Sequence, residues 1–274
     1  MKTIIIPTDF SPSATNAMNY ALDMAIALNA NVLLFHVYSV PISMTEVPVM
    51  LMSVEDLEKN AENQISSLKK DVEHLVSGKI KIETATRLGD TIDELENLCD
   101  KVQPFAVVMG AKGSSAMNTL FGSTTLSTIR RLRWPVISVT PGKEYGTGIR
   151  KIGFACDLRN VVESTPSGTI KEFVRQFNAE LHVLYVSPTE TSKETIEREK
   201  DMLQTMLEEV NPVYDFIKNN DVDAGINEFA EINNLDLIII IPKKHKMLEA
   251  LFHKSSTRQL LHHSHIPIMC IHED

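Results

Sequence analysis

The stretch with the clearest chemical meaning is Met109-Gly110-Ala111-Lys112-Gly113, then eight residues, then Gly122-Ser123-Thr124. It follows a strand-like run at 105–109 and precedes a helix-like one, the position at which open parallel sheets hold ligands. Gly110 and Gly113 lack Cβ, so the main chain there can turn sharply and come close to a ligand. Gly122 and Ser123 fall at the amino end of the following helix, where free N–H groups and the helix dipole favour an anion. A hydroxyl from Ser123 or Thr124 can add a hydrogen bond to a phosphate oxygen. Asp9, at the carboxyl end of the first strand-like run, faces the same crevice and could accept from ribose hydroxyls or a base. The glycine triplet is neither the dinucleotide GxGxxG nor a Walker A loop. Two structural readings stand beside the chemical one: the glycines shape a strand–loop–helix turn, and Asp9 caps the helix that begins near Ser11.

These residues sit in a chain that repeats itself. Thr3-Ile4-Ile5-Ile6-Pro7-Thr8 ends at Asp9, and Lys151-Ile152-Gly153-Phe154-Ala155-Cys156 ends at Asp157, an offset of 148. Asn29-Ala30 leads into Val32-Leu33-Leu34-Phe35-His36-Val37 as Asn178-Ala179 leads into Leu181-His182-Val183-Leu184-Tyr185-Val186, at 149. Ala106-Val107-Val108-Met109 matches Leu237-Ile238-Ile239-Ile240, and Leu120-Phe121 matches Leu251-Phe252, both at 131. Three blocks in order mark a tandem duplication, with about 18 residues lost from the second copy between its second and fourth strands, in the region matching Met44 to Ser77.

Each copy alternates strands with helices, the pattern of a parallel sheet covered on both faces. The first copy predicts strands near 3–8, 31–38, 79–87, 105–109 and 135–140, with helices near 12–28, 54–76, 91–102 and 123–132. Ser11 caps the first helix and Pro12 takes its first position. Leu57, Ala61, Ile65, Leu68, Val72 and Leu75 form the apolar stripe of the helix at 54–76. The second copy predicts strands near 151–156, 180–186, 211–217, 236–241 and 267–271. The expected domains are 1–141 and 151–274, joined by the glycine-containing connector 142–150.

The residues now carry a resemblance. Ile4-Ile5-Ile6-Pro7-Thr8-Asp9-Phe10-Ser11, Leu34-Phe35-His36-Val37, Gly89-Asp90, the glycine loop and Arg131-Leu132-Arg133-Trp134-Pro135-Val136-Ile137-Ser138-Val139 together resemble the universal stress protein family, as a tandem two-domain member. The resemblance implies two Rossmann-like domains of the adenine nucleotide alpha hydrolase-like type, each with a five-stranded parallel sheet flanked by helices. It implies pairing through the last strand, and ATP or AMP binding in a subset of members, with Mg²⁺ as a candidate companion ion. Carried onto this chain, the nucleotide site comprises Pro7, Thr8, Asp9, Val37, Met109, Gly110, Gly113, Gly122, Ser123 and Thr124. Asp9 would contact the adenosine, the backbone near Val37 would lie beside the base, and the glycines with Ser123 and Thr124 would hold the phosphates. The chain departs from the family pattern in one respect, having eight residues rather than nine between its second and third glycines.

The second copy has changed. At offset 131, Gly110 becomes Ile241, Gly113 becomes Lys244, Gly122 becomes His253 and Ser123 becomes Lys254, while Pro242 removes an N–H. Asp157 is retained. Lys243, Lys244, His245, Lys246, His253 and Lys254 could hold a small anion or form a solvated basic edge. His262, His263 and His265 suggest a metal, but adjacent helical residues diverge by about 100° and suit a helix end. Met44, Met50 and Met52 could close over a base or pack as flexible apolar side chains. Cys156 reads as a small apolar residue in a strand.

Bulk properties narrow the classes. The chain has 274 residues, 43% hydrophobic and 23% charged, with net charge −9. Residues 1–141 carry 12 basic and 15 acidic groups, residues 142–274 carry 15 and 21, so both halves are acidic and a nucleic-acid partner is not expected. Cys99, Cys156 and Cys270 lack CxxC spacing. No apolar run approaches the length of a membrane span, and the opening Met-Lys-Thr has no signal-like pattern, so a cytoplasmic location without a membrane partner is expected. Three functions follow as expectations. The first is a regulatory stress-response protein that binds adenine nucleotide in its first domain without robust catalysis, the two halves packed as an intramolecular pseudo-dimer or further as a homodimer. The second is a slow ATPase or phosphotransferase, and the third an interaction module that binds no nucleotide.

Overall fold

A computed structural model describes residues 1–40, 53–111, 123–187, 193–242 and 264–273. Gly113, Gly122, Lys243, Lys244, His245, Lys246, His253, Lys254, His262, His263, Met44, Met50 and Met52 lie outside the described residues. The chain divides into two compact units, Met1–Trp134 and Pro135–Asp274.

The first unit contains β1 (Thr3–Pro7), α1 (Pro12–Leu28), β2 (Asn31–Tyr38), α2 (Val54–Val76), β3 (Ile82–Leu88), α3 (Thr91–Val102), β4 (Ala106–Gly110) and α4 (Ser123–Arg131). Its strands are ordered β3-β2-β1-β4 and pair in parallel, with Ile4, Ile5 and Ile6 beside Val32, Leu33 and Leu34. Ile4, Ile5, Ile6, Leu34 and Val107 are wholly buried, which explains the continuous apolar runs of β1 and β4: a parallel strand covered on both faces has no polar side.

α1 keeps the predicted bounds, with Ser11 as N-cap accepting from Ala14 N and Pro12 in the first turn. Asp90 caps α3 through Ile92 N and Asp93 N. α2 also keeps its bounds but not its full stripe. Ala61, Ile65, Val72 and Val76 are buried, whereas Leu75 is 67% exposed. A step of four from Val72 returns close to the same face of the helix and a step of three falls short, so Val76 completes the row. β3 begins at Ile82 rather than near 79. Ser77 is left-handed and Gly78 has φ 72°, and Lys79 N turns back onto Val76 O, so the strand starts only after that reversal.

Gly110 closes β4 in extended backbone, and its lack of a side chain serves the fold. A Cβ there would stand 2.7 Å from Ser13 O and 2.9 Å from Ser13 C, main-chain atoms of α1. The sharp turn expected at this residue is absent; the glycine lets α1 close onto β4.

The second unit contains β5 (Val136–Val139), β6 (Lys151–Ala155), α5 (Val161–Ser164), α6 (Ser167–Phe177), β7 (Glu180–Ser187), α7 (Lys193–Leu207), a 3-10 turn at Glu208–Val210, β8 (Val213–Lys218), α8 (Val222–Ile232), β9 (Leu237–Ile240) and β10 (Ile268–Cys270). Its strands run β5-β10-β9-β6-β7-β8. The two strands that end the repeats, β5 and β10, pair antiparallel within this unit, Ile137 facing Met269.

The repeat is visible in detail. Thr8 N donates to Phe35 O as Cys156 N donates to Leu184 O. Phe10 N donates to Thr8 Oγ1 and Leu158 N to Cys156 Sγ, and Phe10 and Leu158 share positive φ of 61° and 48°. Cys156 therefore lies half-buried just beyond β6, as a turn acceptor rather than a strand residue. The missing residues all precede β8. The connection from β2 to α2 spans 15 residues against 5 from β7 to α7, and α2 has 23 residues against 15 in α7. Where α1 is continuous, the second unit breaks into α5 and α6 at Thr165-Pro166, because proline has no N–H to continue the helix.

Among the described residues no helix is long and apolar enough to cross a membrane. Among the described residues no group of three His, Cys, Asp or Glu is placed to hold a metal.

Three stability outcomes follow. Gly110→Ala will destabilise ligand-free protein by about 1–3 kcal/mol in urea unfolding, because the new methyl meets main chain rather than a yielding side chain. Ile65→Ala will lower stability by about 2–5 kcal/mol, while Leu75→Ala will stay within about 0.5 kcal/mol.

Candidate functional site

At the carboxyl end of β1 the chain must leave the sheet and enter α1 within four residues. Three side chains fix that turn: Thr8 Oγ1 accepts from Phe10 N at 3.0 Å, Asp9 Oδ1 from Ser11 N at 3.0 Å, and Ser11 Oγ from Ala14 N at 3.2 Å. Phe10 takes a left-handed conformation that non-glycine residues adopt rarely. Its ring lies 4.6 Å from that of His36. His36 Nδ1, 2.8 Å from Thr8 O, donates to that carbonyl, which places the ring proton on Nδ1. β2 thus braces the turn that presents Asp9.

Opposite, β4 ends at Gly110, whose carbonyl accepts from Thr125 Oγ1 at 2.9 Å. Thr128 Oγ1 donates to Thr124 O one turn on. These bonds tie the start of α4 to the end of the strand before it. At the other end of α4, Arg131 reaches Asp93 and Glu96 of α3, each at 2.6 Å.

Between these features lies an open cleft of about 590 Å³, lined by Pro7, Thr8, Asp9, Ala14, Phe35, Val37, Thr91, Met109, Gly110, Thr124 and Thr125. The structure therefore brings together seven residues singled out from sequence: Pro7, Thr8, Asp9, Val37, Met109, Gly110 and Thr124. Ser123 opens α4 and is exposed without lining the cleft. Gly113 and Gly122 lie outside the described residues. Ala14, Phe35, Thr91 and Thr125 were not anticipated. Thr91 follows the capping Asp90, and Thr125 continues a Ser-Thr-Thr run, so both had a local signal; Phe35 did not, since only the pairing of Pro7 with Phe35 brings it here.

Asp9 both lines the cleft and accepts from Ser11 N, while the helix cap itself is Ser11. Among the described lining residues Asp9 is the one ionisable group. Four hydroxyls share the cleft with it, and Val37 and Met109 supply apolar surface, a mixture suited to a flat ring bearing polar substituents. Ala14, Thr91, Thr124 and Thr125 are all first-turn residues, so the amino ends of α1, α3 and α4 converge on the cleft. The first-turn amides of α1 and α3 are taken by Ser11 and Asp90. Beside Gly110, buried Ser13 Oγ makes no hydrogen bond among the described residues.

The matching place in the second unit is different. Ile241 and Pro242 stand where Gly110 and Ala111 stand in the first, and Glu199 of α7 accepts from Val161 N at 2.9 Å. Asp157 is exposed. The thiols elsewhere are quiet: burial, reinforced by Asp100 and Glu96, pushes Cys99 up to about 12, and burial raises Cys270 further.

No curated protein sequence matches the chain significantly. Among solved structures, a universal stress protein from Archaeoglobus fulgidus DSM 4304 superposes with a TM-score of 0.74 at 15% identity, covering 99% of this chain and 96% of that one. A protein described as a putative universal stress protein from Pseudomonas aeruginosa UCBPP-PA14 gives 0.64 at 12% identity, with 100% and 94% covered. At these identities the likeness is one of fold. A universal stress protein in complex with cAMP matches at 24% identity over 52% of this chain and 98% of that one, with a TM-score of 0.40. The model of the universal stress protein family matches residues 1–140 and again 168–272. Spanning both repeats and most of the chain between its ends, that match places the protein in the universal stress protein family.

Proposed function

We propose that the cleft of the first unit binds an adenine nucleotide, ATP or AMP, as a regulatory ligand. The observation that carries this reading is the convergence of three helix amino ends on a cleft with an apolar floor and a single carboxylate. A purine fits against Val37 and Met109, and Asp9 accepts from the ribose hydroxyls. The phosphates, which meet no basic side chain among the described lining residues, are held by the first turn of α4 and by Thr124. Lys112, Gly113 and Gly122 belong to the same phosphate end by sequence, with Mg²⁺ as a companion to a triphosphate. Ser13 Oγ offers a further hydroxyl beside Gly110. A ligand held this way stabilises one conformation or partner state of the protein.

The second unit is proposed as a degenerate partner. Its isoleucine and proline remove the close main-chain approach and an amide, leaving a structural or side-chain anion-binding role. The paired strands β5 and β10 would join the two repeats as a pseudo-dimer. Three free thiols fit a reducing cytoplasm.

Acid extraction of the native protein followed by mass spectrometry will release an adenine nucleotide. Asp9→Ala will weaken ATP binding by roughly 10- to 100-fold in titration calorimetry, the loss expected for a charged hydrogen-bond partner. Thr124→Val will weaken it by roughly 3- to 10-fold, and Asp157→Ala will leave it unchanged. Equal losses at Asp9 and Asp157 would contradict a single functional site. On prolonged incubation ATP will remain intact; steady multiple turnover would replace the ligand reading with a slow ATPase. The eight-residue spacing between Gly113 and Gly122 favours the remaining reading, an interaction module, which would be left standing if no nucleotide is extracted and none binds.

A further inference from the structure

β3 is the outer strand of the first unit, and among the described residues its one strand partner is β2. Such an edge exposes unpaired main-chain groups, and soluble proteins usually cover it, charge it or use it. Which groups face outward follows from the ladder. Lys81 O accepts from Val32 N at one end and Gly89 N donates to Tyr38 O at the other, with unbroken register between. The odd-numbered residues therefore bond inward to β2. The N–H and C=O of Ile82, Thr84, Thr86 and Leu88 point to the open edge. Arg87 Nη1 confirms the direction by curling back onto Thr86 O at 2.7 Å.

The strand reads Ile82-Glu83-Thr84-Ala85-Thr86-Arg87-Leu88. Laid antiparallel against itself about Ala85, it places Ile82 opposite Leu88, Glu83 opposite Arg87, Thr84 opposite Thr86 and Ala85 opposite Ala85. Apolar meets apolar, acid meets base and threonine meets threonine. The same register sets the outward-facing residues against each other, so each facing pair can exchange two main-chain hydrogen bonds. Shifting the register by two residues in one direction sets Lys81 against Arg87; in the other it leaves Arg87 facing Ala85. One alignment satisfies side chains and main chain together.

The outer strand of the second unit has no such alignment. Val213-Tyr214-Asp215-Phe216-Ile217-Lys218, aligned antiparallel on itself about its middle residues, sets Asp215 against Asp215, Val213 or Ile217. Asp215 is in any case held by His182 Nδ1 at 2.8 Å. β5, to which the family resemblance assigns pairing, is already bonded to β10.

We propose that two copies of this chain associate through β3, antiparallel about a two-fold axis at Ala85, with Glu83 of each facing Arg87 of the other. On pairing, Arg87 leaves its own Thr86 carbonyl, which then accepts from Thr84 N of the second copy. Glu83, now 2.7 Å from Lys81, turns to or shares the incoming guanidinium. The surface is short and carries little apolar area, so the association is concentration-dependent. It is independent of the nucleotide reading, because β3 contributes no residue to the cleft.

Sedimentation equilibrium of the full chain from low to high micromolar concentration tests it. The wild type will show a monomer–dimer equilibrium. Glu83→Arg and Arg87→Glu will each weaken dimerisation roughly tenfold or more, since each sets like charges opposite twice over. The double swap Glu83→Arg with Arg87→Glu will restore it, because the pairs are complementary again. Thr84→Pro removes an outward N–H only and will leave a folded monomer by circular dichroism. Ala85→Cys will form a disulfide-linked dimer on mild oxidation, since residues facing at a non-hydrogen-bonded position lie about 4.5 Å apart. A wild type that stays monomeric throughout, a dimer indifferent to the single charge reversals, or a double swap that fails to restore pairing would each overturn the proposal. So would a persistent dimer that Ala85→Cys does not cross-link.

Discussion

At the carboxyl end of β4 the main chain passes so close to α1 that any side chain at residue 110 would meet the Ser13 carbonyl. That approach lets α1 cover β1 and β4 at once and fixes the distance between the turn after β1 and the start of α4. Thr125 reads the same distance from the other side, since its hydroxyl reaches the Gly110 carbonyl. The cleft is the space left between these two constraints. Glycine here is demanded by packing, and the cleft follows from the geometry that packing creates.

The duplication shows what happens when that constraint is lifted. In the second unit isoleucine and proline occupy the corresponding strand end, the helix that would match α1 is broken at Pro166, and a carboxylate from α7 meets the first amide of α5. Yet the turn after β6 survives, with Leu158 in the left-handed conformation of Phe10 and a cysteine sulfur replacing a threonine hydroxyl as acceptor. The turn belongs to the fold and persists, which makes Asp157, retained in sequence, weak ground for a second site.

Much of the fold was legible because its signals are local. Ser11-Pro12 marks the start of α1, and apolar strand-like runs mark β1, β2 and β4. Errors arose where a turn or a single helical step decided the outcome. β3 starts late because the chain reverses at Ser77-Gly78, and Leu75 is exposed because Val76 takes the buried position. The site was legible only in part. Asp9, Gly110 and Thr124 carry sequence signatures, whereas Phe35 joins the cleft through strand register, and His36 braces Asp9's turn through a contact 28 residues away in sequence. Nothing local to either residue reveals such a contact. The self-complementarity of β3 is the converse: it was written in the sequence but had no meaning until the ladder showed which groups face outward.

The account turns on main-chain amides at the start of α4 meeting the phosphates of a nucleotide whose base lies over Val37. A crystal structure of the full chain grown with excess ATP tests this most directly. The account predicts phosphate oxygens within hydrogen-bond distance of the Ser123 and Thr124 amides, ribose on Asp9, and no nucleotide at the second unit. A cleft that stays empty under saturating ATP, or a nucleotide seated at Asp157 instead, would contradict it.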